Sequence, residues 1–251
     1  MKLLSSILIG IFISFLTVEP LYSQSTPQDA RPPQIESLQS KLDALNADST
    51  IEEKDKLALI KHYKAAIQFL QNAEQSKAQT ETFNAEVKNS PGETKDWISK
   101  LEELESKKKT DAPIVLPEDA SNLQKIIDTR SDELETLTER KSYLANEISQ
   151  SNTRPIEIST RLREIQTRQS QLKEFLDQPA ASDSAQQTAQ NLEFSSERYA
   201  LTTEEEMLDA EKKSIPVNLA RFEAELNFQN QARDIEYEKK KNLKGEQSKI
   251  N

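Results

Sequence analysis

Glycine is almost missing from this chain. Of 251 residues only three are glycine, and of these only Gly92 and Gly245 fall after residue 25. Average usage of about 7% would place roughly 16 there. Tight hairpin turns and phosphate-cradling loops both draw on glycine's freedom at positive φ, so β-hairpins and nucleotide-binding loops are nearly excluded. Charged residues make up 30% of the chain and aromatics 6%, with Ala, Glu, Lys, Leu, Gln and Ser dominant. That profile belongs to long helices packed side by side. The expected fold class is all-α: elongated antiparallel helical hairpins in a coiled-coil-like bundle.

The apolar spacing agrees. Ile35, Leu38, Leu42 and Leu45 stand three or four residues apart and make one stripe on a short helix. Thr50 with Glu53 reads as a capping box opening a second helix, with Ile60, Tyr63, Ile67 and Leu70 on its seam and Phe83 and Val87 as anchors of a thinly packed far half. Ser90-Pro91 is expected to end that helix, because proline is tolerated in a first turn and not in an interior. Trp97, Ile98, Leu101 and Leu104 then give the next apolar face, up to a loop bracketed by Pro113 and Pro117.

From Glu118 to about Asn152 the seam runs through Leu123, Ile127, Leu134, Leu137, Leu144 and Ile148, with Arg130 and Lys141 in two of its slots. The steps add to heptads. NTRP (152–155) reads as a break, and residues 155–177 as the return arm of a hairpin, carrying Ile158, Leu162, Ile165, Gln169, Leu172 and Leu176. These two sets form the candidate seam for helix packing and interaction. Gln169, Arg130 and Lys141 either fix register, as polar residues in a seam can, or sit where the bundle is wet. A further helix is expected from about Ser184 and another start near residue 203, where Thr202 with Glu205 or Thr203 with Glu206 forms a capping box. Pro216 is expected to open the last helix.

The chain opens MKLLSSILIGIFISFLTVEPLYSQS, in which Lys2 leads an apolar run from Leu3 to Val18 and a short polar stretch follows. This is the layout of a secretory signal peptide, and the run is short for the roughly 20 residues that span a bilayer. Residues 1–25 are thus read as a cleaved signal peptide, 26–34 as a flexible proline-bearing linker, 35–241 as an elongated helical periplasmic domain and 242–251 as a disordered tail. The absence of cysteine removes any disulfide framework.

Candidate chemistry is sparse. His62 is the one histidine, and no partner residues stand beside it in sequence, so a solvated or seam-edge role is expected. The acidic runs Glu204-Glu205-Glu206 and Glu102, Glu103 and Glu105 point around a helix instead of converging. Lys107-Lys108-Lys109 and Lys239-Lys240-Lys241 are placed at helix C-termini, where cations complement the dipole. The net charge of −10 argues against nucleic acid and against an anionic membrane surface. No enzyme, cofactor, metal or small-molecule substrate is expected.

One resemblance goes further. IESLQSKLDALNADSTIEEKDKLALIKHYKAAIQFLQNAE (35–74), SNTRPIEISTRLREIQTRQSQLKEFLDQ (151–178) and NLARFEAELNFQNQ (218–231) resemble the N-terminal periplasmic helical region, the MscS porin domain, of large mechanosensitive channels of the potassium-dependent MscS-type branch. The likeness spans roughly residues 35–240. It implies a periplasmic domain that works with a channel opened by bilayer tension during osmotic downshock. No further apolar run follows Lys241, so this chain is expected to have no pore of its own and to be a free-standing paralogue, a subunit partner or the front fragment of a longer gene. The implied partners are proteins of the cell envelope, a membrane channel subunit among them, with self-association open. The alternatives are a free-standing periplasmic coiled-coil scaffold, such as an activator of cell-wall hydrolases, and a holdase chaperone.

Overall fold

The computed structural model describes residues 33–110, 120–178 and 184–250. The expected signal peptide and all of the expected linker but Pro33 and Gln34 lie outside the described residues. Four helices account for nearly everything else: α1 (Ile35–Ala47), α2 (Glu53–Thr110), α3 (Ala120–Asp177) and α4 (Ala185–Ile250). At about 1.5 Å per residue, the three long helices run roughly 85–100 Å each.

The order of cross-helix pairs fixes their directions. Between α2 and α4 the numbers rise together: His62 meets Glu193, Ser90 meets Asn218, Arg221 meets Glu93 and Trp97 meets Phe228. These two helices are parallel. Between α3 and α4 the numbers run oppositely, from Arg168 with Glu197 to Arg130 with Glu236, so these two form an antiparallel hairpin. Helix α4 packs against both others, whereas α2 and α3 do not pack on each other. The expectation of packed antiparallel hairpins therefore holds for α3 with α4, and α2 joins by parallel packing.

At one end α1 folds back on α2. Its stripe is buried at Leu38, Leu42 and Leu45, the first two against Ala66, Ile67 and Leu70 with Leu192 and Tyr199 of α4 at the edge, and Leu45 against Leu59 and Ala189. The turn after it differs from the capping box read in the sequence. The amide and hydroxyl of Thr50 both donate to the Asp48 carboxylate, at 2.7 and 2.6 Å, which makes an Asx-type turn. Lys56 then closes it by donating to the carbonyls of Asn46 and Asp48.

Three expected breaks are not breaks. Pro91, Pro155 and Pro216 all lie inside continuous helices, and the threonines read as a cap near residue 203 bond back within α4, Thr202 to the Arg198 carbonyl and Thr203 to that of Ala200. An interior proline costs about 3 kcal/mol, but α3 and α4 bury residues on both sides of their prolines, and beyond Pro91 the half-buried Trp97 holds α2 against Phe228 of α4. In α3, Leu144 and Ile158 are fully buried on the two sides of Pro155, and a bend would pull at least one of them away from α4. The tail is corrected too. Helix α4 continues to Ile250 because Leu243 is buried against Leu123 and Ile127. Lys239-Lys240-Lys241 consequently lies within α4 and not at a helix end, whereas Lys107-Lys108-Lys109 does precede the end of α2.

Candidate functional site: the two seams of helix α4

The residues expected to face one another across a hairpin lie instead on one helix. Leu123, Ile127, Leu144, Ile158, Ile165 and Leu172 are buried; Leu134, Leu137, Ile148, Leu162, Gln169 and Leu176 are half-buried. Their register never breaks. Leu123, Leu137, Leu144, Ile158, Ile165 and Leu172 differ by multiples of seven, and so do Ile127, Leu134, Ile148, Leu162, Gln169 and Leu176. The partner is α4: Ile158, Ile165 and Leu172 form one cluster with Leu201 and Leu208, edged by Leu162, Phe194, Met207 and Ile215. The first line is the more deeply buried because α3 has one neighbour only. Near the α3–α4 turn, Phe175 and Phe194 stack at 5.5 Å.

Gln169 is spoken for. Its side-chain amide donates to Glu205 at 3.3 Å and Thr202 at 3.4 Å across the seam, so this slot is a polar link between α3 and α4.

Beside the apolar stripe runs a ladder of ion pairs that the sequence reading missed. Arg140 grips Glu225 through two bonds of 2.6 and 2.9 Å. Arg154 does the same with Glu211 at 2.6 and 3.0 Å, Arg161 with Glu204 at 2.7 and 3.0 Å, and Arg168 with Glu197 at 2.7 and 2.8 Å. Two-pronged Arg–carboxylate bonds fix geometry as well as charge. Arg130 extends the series with a single bond to Glu236. The glutamate side chains are the more buried members, only 6% exposed at Glu225 and 13% at Glu211 and Glu197. Hydrogen bonding to Glu211 and to Glu204 pushes the guanidinium pKa values of Arg154 and Arg161 still higher. The clue was in the sequence: arginines at 154, 161 and 168 and glutamates at 197, 204 and 211, each seven apart.

The other side of α4 is built differently. Small residues are buried on both partners: Ala66, Ala73, Ser76 and Ser90 of α2, and Ala189, Ser196, Ala200, Thr203, Ala210 and Ser214 of α4. Small side chains let two helix axes approach closely. What looked in the sequence like a thinly packed half is therefore a close contact. Its polar links are His62 to Glu193, Lys77 to the Tyr199 hydroxyl, Ser90 to Asn218, Asn218 to Glu86 and Arg221 to Glu93. His62 is thus a seam-edge residue paired with a carboxylate. Of the acidic runs, Glu204 and Glu205 serve α3 as described, and Glu103 pairs with Lys107. Among the described residues, no group of histidine, aspartate and glutamate side chains is arranged to hold a metal ion, and no helix is long and apolar enough to cross a membrane.

What these seams define is an all-helical packing domain, whose polar side chains serve to hold helix to helix. Residues 41–247 match the mechanosensitive ion channel porin domain, and the chain belongs to that family. No curated protein and no solved structure matches the chain.

Proposed function

We propose that this chain is an exported helical domain that works in the cell envelope with a mechanosensitive channel, as the periplasmic region does in the large potassium-dependent branch, and that it carries load between partners without performing chemistry. The family match over residues 41–247 carries the reading. The α3–α4 ladder supports it, because two-pronged ion pairs repeated along a heptad stripe resist sliding of one helix past the other. In this reading α3 and α4 form a coiled-coil arm, residues 1–25 are removed on export, and the channel pore lies outside these helices.

The test is cross-linking of the tagged full-length chain in intact cells, followed by membrane solubilisation and mass spectrometry of what co-purifies. A multispanning channel subunit is the expected result, together with a mature N-terminus between Gln24 and Thr26. Recovery of a cell-wall hydrolase in place of a channel would overturn the channel reading in favour of the scaffold, and a full-length cytosolic chain would overturn export.

A further inference from the structure

Every long helix of this protein carries one interior proline, and the three fall within about two and a half turns of one another along the bundle. Pro91 adjoins Ser90, which bonds Asn218 of α4, and Pro216 lies two residues before Asn218. Pro155 adjoins Arg154, which grips Glu211. Three independent features fall at the same height.

The first is a gap in the ladder. Counting sevens between Arg140 and Arg154 on α3 gives Glu147; counting sevens between Glu211 and Glu225 on α4 gives Asn218. Where an arginine and a glutamate belong, the chain places a glutamate and an asparagine. Asn218 turns to α2 instead, accepting from Ser90 and donating to Glu86.

The second is a gap in the core. Continuing the two stripes of α3 through this level gives Ser151 and Pro155 in place of leucine or isoleucine, and α4 faces them with the buried Ser214, Phe222 being the buried apolar residue at this point. The apolar clusters stand on either side: around α1 and along Ile158, Ile165 and Leu172 below, and around Leu123, Ile127 and Leu243 above. The third is space. A cavity of about 280 Å³ opens here between all three helices, lined among others by Phe83, Glu147, Arg154, Ser214 and Asn218.

Each proline leaves one carbonyl without its helical donor, and prolines are the commonest origin of helix kinks. Gly92, beside Pro91, adds backbone freedom, and a side chain there would meet nothing. We infer that the three prolines and the slot of Glu147 and Asn218, where α3 and α4 lack an ion pair, form a single hinge, at which the lower and upper halves of the bundle bend as two bodies. A lone proline in one helix would be resisted by its straight neighbours. Prolines this close along the bundle let all three yield together. The cavity and the missing ion pair leave the α3–α4 seam little to break between Arg140 and Arg154, while Asn218 keeps α4 tied to Ser90 and Glu86 of α2. The inference rests on the helical bundle alone and stands whatever partner the chain has.

The test is amide hydrogen exchange on the full chain, wild type and P155A, with residual dipolar couplings measured on the wild type and on P91A/P155A/P216A. Exchange should be about tenfold or more faster around residues 88–95, 150–158 and 211–219 than one heptad away in the same helices. In P155A it should slow in α2 and α4 as well as in α3. Couplings from the two halves should fit different alignment tensors in the wild type and one common tensor in the triple variant. Slowing confined to α3 would mean three separate local defects, and a common tensor in the wild type would mean a stiff rod. Either result overturns the hinge. Proline-to-alanine changes favour the helix, so the variants keep the fold.

Discussion

Arg140 and Arg161 make the same two-pronged bond, but their partners sit at different depths, since Glu225 is 6% exposed and Glu204 26%. Removing a guanidinium strands the more deeply buried carboxylate at higher cost. Arg140→Ala should therefore destabilise by about 1–3 kcal/mol, and Arg161→Ala by no more than about 1 kcal/mol after solvent screening. Urea unfolding of both variants checks the order, and a larger loss for Arg161→Ala would contradict it. On the α2 side the sensitivity has the opposite origin. Ala73 is fully buried in the small-residue contact, so Ala73→Leu should cost about 1–3 kcal/mol by overpacking, readable as a lowered thermal midpoint. Asp48 makes a smaller, pH-dependent contribution. Its bonds from Thr50 hold the carboxyl below its ordinary value, so the stabilisation is complete above about pH 4 and is lost as acid titrates the folded carboxylate. Asp48→Asn should flatten the acid side of the stability profile of α1 docking.

At the scale of the helix, burial separates residues that the spacing alone could not. Ile165→Ala, at a fully buried position, should cost about 2–5 kcal/mol, and Leu134→Ala, at a half-buried one, clearly less; equal losses in thermal unfolding would mean that α3 has a second partner. The all-helical class and the core stripe of α3 were legible from glycine scarcity and heptad steps. The helix ends were not. Pro91, Pro155 and Pro216 each carry a strong local signal to stop, and only long-range packing overrides it, as Leu144 and Ile158 show by sharing one register across Pro155. Ala73 and Ser76 looked like weak packing because their value lies in the closeness of α4, which no local pattern announces. The partner of α3 was misread for the same reason: spacing says that a stripe needs covering, not which helix covers it. The Arg and Glu heptads could have named α4, since both series keep the same step in opposite directions.

For the whole helical unit, helices of roughly 85–100 Å must give a radius of gyration well above the roughly 17 Å of a compact body of this residue count. Small-angle scattering of the monomer should return at least about 25 Å, and a value near 17 Å would refute side-by-side packing of three long helices. The ladder has its own consequence at this scale. Its cations all stand on α3 and its anions all on α4. An α3 laid against another α3 would set arginine against arginine, and two copies of α4 would set glutamate against glutamate. The charge order thus commits α3 to α4, because a like helix laid along either face leaves every clamp unmade.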